Sequence, residues 1–279
     1  MKFKLNTLVA AVVLSATAMS ANAAFSSNNG NSEFVFSAWD ADAGVGYTYD
    51  LNWDKFLNDL VGVDQAATAA GNTLLAANAK VSSSLIGTNG IIFDDVLTGL
   101  PFTGASLENA QWNLASFDNV GRTRLLITQD VNGLPFTSNN NQEKAAVTLL
   151  GAYSVTSNGL IVNPSLDDGY AVTTVADIAA YAGVYGAGYN NNLSKTTNAF
   201  GATSNMFLLA QTTQASSAAP SFLQQLTSVT GDAVFAKTYF QDGQWRLQVA
   251  VVPEPETYAM LLAGLGFIGA IARRRNKQA

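Results

Sequence analysis

The chain has 279 residues, of which 48% are hydrophobic and only 12% charged, with a formal net charge of −6 and neither cysteine nor histidine. It is too apolar for an intrinsically disordered chain and too weakly charged for a coiled coil, and the missing thiol and imidazole exclude disulfides, zinc clusters and Ser-His-Asp or Cys-His catalysis. Between the two terminal segments described below lie eight basic and eighteen acidic side chains, a balance that argues against nucleic acid and anionic lipid surfaces as partners.

The N-terminus reads Met1-Lys2-Phe3-Lys4, followed by an apolar run over residues 8–19 and then Ala21-Asn22-Ala23. A basic start, a short apolar centre and small residues at −3 and −1 are the three parts of a secretory signal, with cleavage by signal peptidase after Ala23. Twelve apolar residues span about 18 Å as a helix, too little for the ~30 Å hydrocarbon core, so a permanent anchor is disfavoured here. The expected organisation is therefore a signal over residues 1–23, one exported globular domain over 24–252 and a C-terminal segment over 253–279.

Within the domain, residues 33–39 and 45–51 alternate in a β pattern around the turn Asp40-Ala41-Asp42-Ala43-Gly44 and predict a hairpin. Asp40 and Asp42 also suggest the opening of a calcium loop. The count fails at its twelfth position, where Leu51 stands in place of a bidentate Glu, so the turn is preferred. A short helix running to Leu60 is expected with Asn52 or Asp54 as its cap. The Ala-rich stretch over residues 65–80 has too few leucines to define a face.

Strand signals return at residues 91–93, 111–117 and 122–128, and helices are expected over residues 142–153 and 175–184, the second opened by Thr173 or Thr174. Residues 206–211 read as a buried strand and residues 222–229 as a short helix. Gln241-Asp242-Gly243 then joins residues 233–240 to 244–252 in the clearest hairpin of the chain. The fold class expected is α+β and β-rich, an antiparallel sheet forming a sandwich or rolled sheet with several short helices, in which the first and last hairpins meet.

Without histidine or cysteine, carboxylates are the remaining acid/base groups, and Asp94-Asp95 and Asp167-Asp168 are the candidates for a glycosidase-like pair. Sequence neighbours on a strand point to opposite faces, and Asp167-Asp168-Gly169 reads more simply as a turn. Trp39, Tyr47, Tyr49, Trp53 and Trp112 are candidates for stacking on sugar rings, although aromatic residues in strands more often fill the core. No cofactor is expected.

The C-terminal segment has three ordered parts: Pro253-Glu254-Pro255, an uncharged apolar helix over residues 257–272, and Arg273-Arg274-Arg275 with Lys277. The prolines keep the first part extended for a processing enzyme, the helix partitions into the bilayer, and the arginines stop transfer. Sixteen residues reach only ~24 Å, which suits transient inner-membrane insertion better than permanent anchoring. Gly264, Gly266 and Gly269 fit the dinucleotide-binding G-x-G-x-x-G spacing, but no strand, following helix or acidic residue accompanies them.

Taken together, residues 253–275 resemble the PEP-CTERM sorting signal, which is also labelled an ice-binding protein C-terminal region. The patterns FVFSAWDADAGVGYTYDL and QWNLASFDN are loosely similar to bodies attached to such signals. The resemblance implies a Gram-negative host, exosortase as the processing partner and a destination at the cell surface or in an extracellular polysaccharide matrix. It does not carry ice binding to this body, because one tag serves many unrelated domains. A non-enzymatic, biofilm- or exopolysaccharide-associated surface protein is the expected function, and a carboxylate-based enzyme acting on polysaccharide is the alternative.

Overall fold

The computed structural model describes residues 32–252 except 52, 54–56, 64–68, 131–137, 162–168, 186–192, 194–195 and 216. The signal with Ala21 and Ala23, the Pro253-Glu254-Pro255 motif, the apolar helix, the arginine cluster, Asp167-Asp168 and the caps Asn52 and Asp54 lie outside the described residues. Among the described residues no helix is long and apolar enough to cross a membrane.

The chain opens with the expected hairpin, β1 (Val35–Asp40) and β2 (Val45–Asp50), paired from Val35↔Asp50 to Asp40↔Val45. Two helices follow, α1 (Leu57–Val61) and α2 (Ala69–Asn78), then the short strand β3 (Lys80–Val81) and β4 (Ile91–Val96). After α3 (Ala105–Asn109) come β5 (Gln111–Asp118), β6 (Arg124–Asp130) and the 19-residue α4 (Asn140–Asn158). β7 (Tyr170–Thr174), β8 (Asn198–Ala199), β9 (Thr203–Ala210), β10 (Phe222–Gln225) and β11 (Thr227–Ser228) lead to the final hairpin of β12 (Ala233–Gln241) and β13 (Gln244–Val252).

All the described strands belong to one mixed sheet, running β3-β11-β12-β9-β6-β5-β1-β2-β7, with β13 between β12 and β4. β3 and β11 are parallel and the other pairs are antiparallel. The sheet rolls so that its two ends share an interior. Phe36, Tyr47 and Tyr49 of the first hairpin and Val234, Leu247 and Val249 of the last belong to one buried cluster. Tyr47 donates to the Thr98 carbonyl at 2.5 Å, and Tyr49 donates to Asp95 at 3.0 Å.

The middle strands are buried on both faces, which explains their long apolar runs. Phe36, Trp112, Leu114, Leu126 and Leu208 face the interior. Val35, Ala115, Phe117, Leu125, Ile127 and Leu209 face outward, where α4 covers them with Ala146, Val147, Leu150 and Tyr153. A capping box opens α4: the Asn139 side chain accepts from Gln142 N at 2.9 Å and the Gln142 side chain accepts from Asn139 N at 3.0 Å. Its buried Tyr153 hydroxyl meets Ser37 at 3.3 Å, and also Thr48, fixing the helix over the first hairpin.

Two expected helices take other forms. Residues 222–229 run as β10 and β11, because the edge of β9 offers pairing from Phe222↔Ala210 to Gln225↔Phe207 and tertiary hydrogen bonding overrides the mild helix preference of Leu and Gln. Thr174 does cap the next segment, but that segment forms two 3₁₀ turns, Val175–Ala180 and Ala182–Tyr185, interrupted at Ile178 (φ 49°). The interruption sets Tyr181 against Gly46 and Gly183, where a Cβ would lie 2.9 Å and 2.2 Å from its ring. The sandwich-or-roll expectation resolves to a roll with a mixed sheet.

Candidate functional site

The two adjacent aspartates of β4 separate as the strand's pleat requires. Asp94 faces outward, opposite Gln248, and accepts from Tyr239 (2.6 Å), Gln248 (2.6 Å) and Arg246 Nε (2.7 Å), with the second Arg246 ion-pair contact at 2.6 Å. Asp95 turns toward the interior and accepts from Tyr49. Burial works to raise the Asp94 pKa, but donation by Tyr239, Arg246 and Gln248 with the Arg246 charge outweighs it and holds the carboxyl below its ordinary value. Burial and the neighbouring carboxylate raise Tyr239 in turn. Asp94 thus ties β4, β13 and β12 together, and it does not face its neighbour across a cleft.

Asp40 also serves structure. Its Oδ1 accepts from Asp42 N and Ala43 N at 3.0 and 3.1 Å, closing the hairpin turn, and its Oδ2 accepts from Ser106 at 2.7 Å. Burial opposes ionisation here too, and the hydrogen bonds from Ser106, Ala43 and Asp42 bring the pKa below normal. Gly44 completes the turn at φ +65°. Among the described residues no group of three or more acidic side chains is placed to hold a metal ion.

Of the aromatic residues singled out in the sequence, four are core and Trp53 is half-buried against it. Trp39, Tyr47, Tyr49 and Trp112 are at most 2% exposed, and Trp53 packs between Phe34 and Phe93 with ring centroids 4.9 Å from each. None of the four buried rings offers a face to a ligand. The most exposed aromatic ring among the described residues sits at the tip of the last hairpin, where Phe240 is 61% exposed and opposes the half-buried Trp245 across the turn. Their centroids are 5.7 Å apart, and Phe200 supports Trp245 edge-on at 5.2 Å.

These rings form one wall of an open trough of about 510 Å³ at the mouth of the rolled sheet. Residues 96–104 form the other wall, contributing Leu97, Thr98, Leu100, Phe102 and Thr103, with Gln244 at the rim. The second wall is held in place: Leu97 N bonds to the Trp245 carbonyl at 2.8 Å, Tyr47 holds Thr98, and the Tyr170 ring occupies the space a Cβ on Gly99 would need. Sequence inspection missed this site because its halves are about 140 residues apart. The one available signal was a Phe and a Trp flanking a tight Asp-Gly turn, where core aromatics are least expected.

The body is thus a cysteine-free rolled β-sheet with a preformed trough at one end of its last strand and its C-terminal exit at the other. The chain carries a PEP-CTERM protein-sorting motif at residues 251–276, so the motif begins within the last two residues of β13. That motif marks an exported protein that passes through membrane-transit sorting and is processed by exosortase. No curated protein and no solved structure matches the chain.

Proposed function

We propose that this protein is a non-enzymatic component of the cell surface or extracellular matrix that associates with exopolysaccharide. Its N-terminal signal is cleaved after Ala23, its C-terminal helix is held briefly in the inner membrane, and processing near Pro253-Glu254-Pro255 releases the body outward. The observation that carries this reading is the sorting motif joined directly to the last strand of a stable sheet. The non-enzymatic part is supported by the duties of Asp40, Asp94, Asp95 and Asp118: each is bound into a turn, a strand ladder, an interior hydrogen bond or an ion pair. The acidic body without histidine or cysteine fits a role outside the cell that depends on packing and binding.

Intact-mass measurement of protein recovered from the cell surface and medium tests the reading. The expected species lacks residues 1–23 and everything beyond about Pro255. A mature mass that retains Arg273, Arg274 and Arg275 would replace it with a membrane-anchored protein facing the periplasm.

A further inference from the structure

We infer that the trough between Phe240, Trp245 and the wall over residues 96–104 is a binding site for a neutral saccharide segment. This rests on the polysaccharide-associated reading above and assigns it a site and a ligand class. Sugar rings present an apolar face of C–H bonds edged by hydroxyls, so their receptors combine a flat aromatic surface with uncharged hydrogen-bonding groups. The trough offers two separate aromatic rings, inclined at 60° to each other, together with such polar groups. Phe240 and Trp245 supply the rings, and Thr98, Thr103, Gln244 and the backbone near Gly99, Gly104 and Gly243 supply donors and acceptors.

Charge selects the kind of sugar. None of the described residues lining the trough is Asp, Glu, Lys or Arg, and the body has eighteen acidic against eight basic side chains. Nothing there neutralises a uronate or sulfate, and the field of the body repels both, so the ligand is an uncharged polymer. A second depression of about 490 Å³, lined by Trp39, Asp40, Asp42, Asn109, Gln111 and Thr197, offers no exposed ring because its Trp39 is buried.

Shape and rigidity agree with binding. A volume of about 510 Å³ lies within the range usual for small-molecule sites. Glycines at 104 and 243 leave open space where a Cβ would stand, so the backbone is within a ligand's reach. The cross-strand pairing, Phe200 behind Trp245, and Tyr170 against Gly99 order the site before any ligand arrives, which lowers the entropic cost of binding.

The test is electrophoresis of the exported protein in native gels containing soluble neutral glucans, hydroxyethylcellulose and dextran, beside gels containing a polyuronate. The wild type should be retarded by a neutral glucan and not by the polyuronate. Phe240→Ala and Trp245→Ala should each weaken retardation on the order of tenfold, whereas Val229→Ala, at an exposed site elsewhere, should leave it unchanged. Phe240→Ala removes a largely exposed ring and keeps the proposal testable should Trp245→Ala fail to fold. Glucan should also shift tryptophan emission in the wild type and not in Trp245→Phe, since Trp39 and Trp112 are buried and the half-buried Trp53 packs between Phe34 and Phe93, outside the trough lining.

Retardation that ignores both aromatic substitutions would overturn the site while leaving the polysaccharide reading intact. Preference for the polyuronate would overturn the neutral ligand. No retardation by either glucan would overturn this proposal, with the sorting and surface reading still decided separately by intact mass.

Discussion

Arg124 shows how much of the charge in this sparsely charged chain is used inside it. Its side chain is fully buried, pairs with Asp118 at 2.6 Å, donates to the Gly62 carbonyl at 2.7 Å and bonds Asn58 as well. The guanidinium therefore clamps α1 and the turn after it onto the sheet. Arg124→Ala is expected to destabilise by roughly 3–5 kcal/mol, since it leaves the Asp118 carboxylate buried without its ion-pair partner. Replacing both, Arg124→Met with Asp118→Leu, should recover much of that loss in urea unfolding; equal losses for the single and double variants would contradict the ion-pair account. Asp94 gives a pH counterpart. Its depressed folded pKa contributes stability that is complete above the ordinary carboxylate value of 3.8 and is lost as pH falls through the folded value. Urea midpoints measured from pH 5 to 2 should fall more steeply for the wild type than for Asp94→Asn.

At the level of elements, the hairpin turns were the most legible parts of the sequence. Asp40 to Gly44 and Asp242-Gly243 announced their hairpins because positive φ and side-chain acceptance are local requirements, met at Gly44 (φ 65°), Asp242 (φ 52°) and Gly243 (φ 81°). Of the two caps expected before residues 175–184, Thr174 is the one used, whereas Asn139 at the start of α4 was not read from the sequence. The ribbon of β10 and β11 was not, since Phe222 to Gln225 take their conformation from a partner strand. β7 alternates in burial and could have been read from Tyr170, Val172 and the two threonines. The trough was hidden because only rolling brings Phe102 and Phe200 beneath the last hairpin. Asn139→Ala should cost about 1 kcal/mol in urea unfolding by removing the acceptor for Gln142 N at the start of α4. An unchanged midpoint would show that the packed face alone holds the helix.

The whole molecule is built around strands shared by two cores. β1, β5, β6 and β9 contribute one set of side chains to the interior and the other to the layer beneath α4. Losing either layer exposes strands that the other needs. Tryptophan fluorescence, which senses Trp53, Trp112 and Trp245 at the interior cluster and Trp39 in the outer one, should therefore share one urea midpoint with far-ultraviolet circular dichroism. Separate midpoints would mean that the two layers unfold independently.

The position of β13 has a mechanical consequence. It is hydrogen-bonded along both edges, to β12 and β4, and its final residues enter the sorting motif. The rise per residue sets Trp245 roughly 23 Å from Val252, so the trough and the tether occupy opposite ends of one strand. Drag on a bound polymer during the brief period before processing, while the C-terminus is still held, would pull along this strand, with its hydrogen bonds lying across the direction of load. Bonds so arranged share the force and resist together, where a peripheral strand peeled from one end would lose them in turn. A central last strand thus makes a strong link between whatever holds the tail and whatever the far end grips.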